Sequence, residues 1–451
     1  MAMKRTILSV SFALLFSFAF SQEKWTLDSC ITYALENNID IKRHELSISL
    51  AEEEVSDNYW AHAPSVSAST TYTVNAGRVL DLTTYDFIEN QTLDYASSSV
   101  NVNSTLFGGL RKHYALQKSK INLSISKTHL KKVKNDITLA VMKYYIQVLC
   151  AKKDLEAAGA TLEIVKAQSE IIRQKSENGM TTTADLLMAE GEVLAAENDY
   201  HTAEGNLELA VIGLCDLMEI DELNTSMIED ASLEDIDVGG LFVDVTADMI
   251  KTLPEMEEAE LAVSMAERNL KLSQSYLYPS ISLSAGVGSN YSGGRMRQSI
   301  NDDGTYKYEK FAFSEQLSGN RSAFISLGIN IPIFSGFSIK RNIRKAKISL
   351  NDAIYAKDKI SKELDQDFRV LKIEYQNEIG RCRRAELRLK YCIETEREIR
   401  ERYNVGKTDF ITWHTASVEL ASARYSFTEA KYKCILKGKT LGYLYGQRQE
   451  K

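Results

Sequence analysis

The sequence predicts a mixed α/β membrane protein. It should consist mainly of long coiled-coil-like α-helices, with four transmembrane β-strands per chain and two halves that repeat one another. Three observations predict this. Proline is scarce, at 4 in 451 residues, so helices can run long without the ring clash that breaks them. Several segments recur at a fixed spacing. Four short stretches alternate apolar and uncharged polar residues with period two.

The chain opens on an address. Lys4 and Arg5 precede a mostly apolar run from Ile7 to Phe20, and Ala19-Phe20-Ser21 forms a small-x-small cleavage signal before Gln22. Residues 1–21 read as an export signal peptide. Removing its two positive charges takes the formal net charge from −8 to −10. That acidic balance argues against a nucleic-acid partner. Six cysteines are scattered (Cys30, Cys150, Cys215, Cys382, Cys392 and Cys434), mostly within expected helices. They read as buried free thiols rather than staples.

The duplication comes from self-comparison. Leu106-Phe107-Gly108-Gly109 matches Ile333-Phe334-Ser335-Gly336, and Glu177-Asn178-Gly179 matches Asn404-Val405-Gly406, both at offset 227. Upstream, Ala63-Pro64-Ser65 matches Tyr278-Pro279-Ser280 at offset 215, so the second half carries a 12-residue insertion before Ile333. The first repeat spans 22–230, with a β-hairpin at 65–107 and a helical hairpin at 110–220. A linker covers 231–244 and includes Gly239-Gly240. The second repeat spans 245–446, with a β-hairpin at 280–334 and a helical hairpin at 337–446.

The first long helix is expected from about Leu110 to Asn178, and its counterpart from about Phe337 to Asn404. At a rise of ~1.5 Å per residue each reaches ~100 Å. Leu123, Leu130, Ile137, Tyr144, Ala151, Ala158, Val165 and Ile172 keep a seven-residue period. Such a period implies packing along a coiled-coil seam. The counterpart positions keep it less cleanly, with Lys357 and Glu378 as interruptions.

The strands begin after Pro64 and Pro279. Val66, Ala68, Thr70, Tyr72 and Val74 alternate with serines and threonines, as do Val100, Val102, Ser104 and Leu106 with Ser99, Asn101, Asn103 and Thr105. Ile281 to Val287 and Ile325 to Ile333 repeat the pattern. None of these stretches holds a charge. Strands of ~10 residues that alternate in this way fit a membrane barrel. Two hairpins cannot close a barrel, and no open edge is tolerated in lipid. Several chains must then share one. The segments Asn75 to Ser97 and Ser292 to Arg321 read as long polar loops on the outer side.

No catalytic constellation appears. The six histidines form no i, i+4 pair, and neither Cys-x-x-Cys nor Gly-x-x-x-x-Gly-Lys occurs. Nothing implies an enzyme, a resident metal or a cofactor. Charge is segregated, however. Ser176 to Ile250 holds 19 Asp plus Glu and no Lys or Arg, while Lys340 to Arg402 holds 18 Lys plus Arg. Either these are solvated helix faces, with the acidic helix lying near the basic one, or the acids line a cation-favouring wall.

Taken in order, these features resemble the TolC family of outer membrane efflux proteins. They are the signal peptide, the duplicated halves, Pro64 and Pro279 before strands, Pro332-Ile-Phe-Ser-Gly336 with its degenerate partner Thr105 to Gly109, and the Gly turns at Gly179 and Gly406. The resemblance implies a homotrimer with one shared 12-stranded barrel, continued by a periplasmic α-helical tunnel. It implies a passive exit duct in the outer membrane of a Gram-negative bacterium. A periplasmic adaptor and an inner-membrane transporter would be its partners, and lipids would surround the barrel. The adaptor would dock at the tips, Gly179, Met180, Thr181, Gly406, Lys407 and Thr408. Asp185 and Tyr403 match the family's gating residues. Its entrance-ring aspartates are absent, since Thr412 and Thr415 stand there. The competing reading is an exported structural or adhesive coiled-coil protein without a pore.

Overall fold

The structure is a computed structural model that describes residues 25–80, 87–228, 250–300 and 302–446. The signal peptide and the linker lie outside the described residues. In chain order the elements are α1 (Leu27–Asn37), α2 (Ile39–Trp60), β1 (Ser65–Leu80), β2 (Phe87–Phe107), α3 (Arg111–Glu177) and α4 (Thr183–Met218). They continue with α5 (Pro254–Ser275), β3 (Ser280–Ser292), β4 (Met296–Ile300), β5 (Tyr306–Lys310), α6 (Phe313–Gly319), β6 (Ser322–Asn330), α7 (Ser338–Asn404) and α8 (Phe410–Gly446). The halves share a helix–strand–strand–helix–helix order, to which the second adds β4, β5 and α6 between its two main strands. α2 and α5 are both 22 residues, and α3 and α7 are both 67. Even the strand-to-helix turns match, with left-handed φ at Gly109 (65°) and Leu110 (67°) and at Gly336 (59°) and Phe337 (63°).

The chain divides into two units. One is built from residues up to Ser47, Ser126–Ala259 and the chain from Lys357 on; the other from Ile48–Ile125 and Glu260–Ala356.

The first unit is helical. Its main core gathers Leu27, Ile41, Tyr145, Leu149, Leu214, Met218 and Ile435. Tyr145 donates its hydroxyl proton to the Trp25 carbonyl at 3.0 Å. The Trp25 N–H donates in turn to the Met227 carbonyl at 2.8 Å. The heptad positions of α3 are all buried or half-buried, and so are their counterparts on α7, Lys357 and Glu378 included. A second heptad escaped the sequence reading. Ala189, Ala196, Ala203 and Ala210 on α4 are buried, as are Ala416, Ala423 and Ala430 on α8. A methyl side chain at each seventh residue lets neighbouring backbones approach closely. All six cysteines are free, five of them buried and Cys150 half-buried. Burial pushes the thiols of Cys30 and Cys150 up to about 12, so reactive thiolate is scarce there.

The second unit holds an antiparallel sheet in the order β1-β2-β3-β6, and a separate ribbon of β4 and β5. Three sequence expectations need correction. β1 and β2 do not stop near Asn75 and Ser97. They stay paired from Ser65↔Asn103 to Leu80↔Phe87, with a register shift at Gly77/Val79. Arg78 and Asp94 therefore sit in strands rather than in a loop. Antiparallel pairing tolerates charge where a ribbon stands clear of an apolar medium. The segment Ser292 to Arg321 is also built, containing β4, β5 and α6. At the other end, β6 stops at Asn330 although the alternation reads on to Ile333. Pro332 has no N–H to give the ladder.

Candidate functional site

The four-stranded sheet has two unlike faces, and the register makes each continuous. Val66 lies opposite Val102, which lies opposite Ala285, which lies opposite Ile325. Ala68 lies opposite Val100, itself opposite Val287, and Leu283 lies opposite Leu327. Side chains alternate across a strand, so these residues share one apolar face. Where hydroxyls enter it, Thr70 and Ser98 bond each other at 3.1 Å. The other face pairs Ser67 with Asn101, Ser69 with Ser99, Asn103 with Ser284, and Ser284 with Ser326.

The apolar face is bare within the chain: Val66 is 68% exposed, Ile325 77% and Leu327 61%. So large an apolar patch in water would drive association. Tyr72 and Tyr291 both lie opposite Ala96, on the apolar face. This aromatic pair stands two residues along β2 from Asp94, where charges resume. Such a belt marks a membrane–water boundary. Among the described residues, the outer strands β1 and β6 each leave one edge unpaired.

Above the belt, α6 fixes the second loop. The Gln316 amide accepts from the Ser292 N–H at 3.0 Å and donates to the Ser292 carbonyl at 3.0 Å. The Arg295 and Arg297 guanidiniums both lie over the Phe311 ring, at 5.2 and 4.5 Å from its centre.

The hairpin tips belong to the helical unit. α3 ends where the Gly179 N–H bonds Ser176 O (2.9 Å) and the Met180 N–H bonds Lys175 O (2.8 Å). α7 ends in the same way, with Gly406 to Tyr403 O (2.9 Å) and Lys407 to Arg402 O (2.8 Å). This double bond pattern needs a left-handed residue, which glycine supplies without strain; φ is 69° at Gly179 and 73° at Gly406. Met180 is left 76% exposed.

The next helix starts show the same cap with the roles exchanged. On α4, the Thr182 hydroxyl accepts from the Asp185 N–H at 3.1 Å, and Asp185 Oδ2 accepts from the Thr182 N–H at 3.1 Å. The Thr182 and Thr181 hydroxyls also donate to that oxygen, at 2.7 and 2.8 Å. These bonds, from the Thr182 hydroxyl, the Thr181 hydroxyl and the Thr182 N–H, hold the Asp185 carboxyl below the usual aspartate range. On α8 the carboxylate comes first: the Thr412 N–H donates to Asp409 Oδ1 at 2.7 Å. Thr412 bonds likewise hold Asp409 low. Thr415 spends its hydroxyl on the Ile411 carbonyl of its own helix, at 2.8 Å.

Asp185 and Asp409 line one cavity of about 200 Å³ with Lys175, Glu192 and Ile411. Tyr403 does not line it. Its ring stacks on Trp413 at 4.9 Å and 21°, and the Trp413 Nε1–H donates to Glu396 at 3.1 Å. The sequence reading missed His414. Its Nε2 lies 3.1 Å from Glu192 on α4, and its Nδ1 lies 2.9 Å from Gln168 Oε1 on α3. One half-buried imidazole thus ties the two helical hairpins together. Its partners are hundreds of residues away, and no local spacing announces them.

The cap carries a pH prediction. A carboxyl with a depressed pKa contributes stability above its ordinary value and loses it as pH falls through the depressed one. The start of α4 should therefore stay protected well below neutrality and fray only in strong acid. Thr182→Ala should cost about 1 kcal/mol of local stability and move fraying to higher pH. Hydrogen exchange of residues 183–190, corrected for the intrinsic rate, measures both.

The chain resembles known proteins in sequence profile and in fold. The family model described as outer membrane efflux protein matches residues 30–218 and 248–446. No curated protein sequence matches the chain. Among solved structures, the Campylobacter jejuni CmeC outer membrane channel superposes with a TM-score of 0.77 at 16% identity, covering 93% of this chain and 85% of that one. The Vibrio cholerae outer membrane protein VceC gives 0.73 at 14% identity, over 93% and 96%. The open-state Neisseria gonorrhoeae MtrE outer membrane channel gives 0.72 at 18% identity, over 93% and 88%.

Proposed function

The chain belongs to the outer membrane efflux protein family, and from that premise we propose that it works as a homotrimeric exit duct. Each copy contributes four strands to one 12-stranded barrel, and its helical hairpins form the periplasmic tunnel. The single observation that carries this reading is the two-faced sheet with open edges at β1 and β6. Lipid suits the apolar face, and water suits the serine, asparagine and glycine face. Hydrogen-bond satisfaction then demands further copies at both edges.

The duct is passive and performs no chemistry of its own. A periplasmic adaptor grips the tips around Gly179–Thr181 and Gly406–Thr408, and an inner-membrane transporter supplies the energy. Asp185 and Tyr403 hold the tunnel mouth closed. Each now has a structural grip that opening must disturb, the cap on α4 for Asp185 and the Trp413 stack for Tyr403. No cation-binding aspartate ring forms at Thr412 and Thr415. The adhesive coiled-coil reading has no observation in its favour.

Fractionation tests the proposal. The full-length protein should sediment with the outer membrane, resist carbonate, and weigh three chains by light scattering in detergent. A carbonate-soluble monomer would contradict it.

A further inference from the structure

Residues 65–73, 97–105, 280–292 and 322–330, which make up most of the four-stranded sheet, include no Asp, Glu, Lys or Arg. One cation stands at the base of that sheet. At the end from which the long helices leave, a cleft of about 560 Å³ is bordered by Ser65, Asn103, Thr105, Ser282, Ser284 and Lys112. The register puts the first five on the polar face. Ser65, Asn103 and Ser284 form one row across β1, β2 and β3, and Thr105 with Ser282 forms the next. Among the described residues, Lys112 is the one charged group in the cleft's lining.

Folding does not explain this lysine. It is the second residue of α3, whose first turn contains no acid. The backbone N–H groups of a helix start already carry partial positive charge, so a cation is disfavoured there. Comparable cations have local partners. The Arg111 guanidinium lies over the Tyr276 ring, 4.6 Å from its centre, and the Lys340 ammonium, at the start of α7, lies 5.8 Å from the centre of the Phe337 ring. Lys112 is half-buried and borders the cleft instead. Duplication does not account for it either, since Ile339 stands at the matching place 227 residues on. A residue that breaks a local rule without a local gain marks a place where function is expected.

The chemistry of the cleft suits an anion. The lysine supplies charge, and the serine and threonine hydroxyls and the asparagine amide supply further donors. The uncharged strands offer nothing to oppose its field, and a water-filled passage with low-dielectric walls focuses such a field. Rings of lysine or arginine favour anions in pores for this reason.

We propose that Lys112 forms an anion station at the base of the barrel. It holds carboxylate or phosphate groups of solutes that pass along the polar face, and it biases the lumen toward anions. The proposal rests on the duct reading, which sets three copies of the station around one lumen.

Reversal potential in a potassium chloride gradient tests the bias on the full-length protein in planar bilayers. Lys112→Gln should lower the chloride-to-potassium permeability ratio several-fold, and Lys112→Glu should lower it further. Lys112→Arg should leave it near the wild-type value. Losing a cation from a helix start should not cost folding. Inorganic tripolyphosphate is the binding probe. At millimolar concentration it should raise the melting temperature of the purified wild-type and Lys112→Arg oligomers, and not that of Lys112→Gln. A lipid headgroup offers the same phosphate chemistry, so phospholipid phosphorus that co-purifies should be equal in wild type and Lys112→Gln. Its loss in the variant, with an unchanged permeability ratio, would assign the lysine to a headgroup and overturn the proposal. Conducting channels whose permeability ratio ignores both the Gln and the Glu variants would overturn the station and leave the duct reading standing. Bilayers silent for every variant would count against the duct reading, and the melting comparison would then decide the station, with equal shifts in wild type and Lys112→Gln overturning it.

Discussion

Leu327→Arg is expected to keep the protein out of the outer membrane, whereas Ser326→Arg, one residue earlier, is expected to leave insertion intact and change the conducted ions. The two side chains point to opposite faces of β6. Leu327 lies opposite Leu283 on the apolar face, and Ser326 lies opposite Ser284 on the polar one. An arginine facing lipid near the bilayer midplane costs about 2–4 kcal/mol. A shared barrel would incur that cost once per copy. An arginine on the polar face meets water instead. Its field should disfavour cations in the pore. Outer-membrane yield reads the first effect, and reversal potential in a salt gradient reads the second. Equal yields for both variants would mean that the two faces are not a lipid face and a water face.

Gly109→Ala is expected to be far more damaging than Gly336→Ala, although the two glycines are repeat partners. Both hold left-handed backbone, at φ 65° and 59°, and a side chain in that region costs about 1 kcal/mol at each. Their surroundings differ. A Cβ on Gly109 would lie 2.5 Å from the Ser275 carbonyl oxygen and 2.8 Å from Tyr278 Cβ, while one on Gly336 would meet nothing within 4 Å. The Ser275 oxygen is backbone at the end of α5, so it cannot swing aside as a side-chain tip would. Overpacking of this kind adds about 1–3 kcal/mol. Gly109→Ala should lose assembled protein at temperatures where Gly336→Ala still survives, as measured by the melting of the purified oligomer. Equal melting would show that the β2-to-α3 turn has room to relax.

The sequence carries the repeat and the long helices because both are periodic, and period survives without knowledge of partners. Ile137 and Val165 lie on a seven-residue ladder whatever they touch. The alanine ladder at Ala189, Ala196, Ala203 and Ala210 was equally periodic but went unread, because alanine is weakly apolar and looks like helix filler. The strands were legible only where the membrane forbids charge. Beyond Val74, Arg78 and Asp94 look like loop residues, although the pairing continues through them. β4 and β5 were hidden for the same reason among glycine, asparagine and charged residues. At the tips, the Asp185 cap is local, and Thr-x-x-Asp spacing announces it. The Tyr403–Trp413 stack crosses a turn, and the His414–Glu192 tie crosses between hairpins, so each needs the fold to bring it together.

The most direct test is the planar-bilayer conductance of the detergent-purified, full-length oligomer. A gated duct should show discrete steps, and Asp185→Ala or Tyr403→Ala should enlarge them or raise the open fraction. Well-folded trimers that leave the bilayer silent, in wild type and in both variants, would contradict a conducting pore latched at these tips.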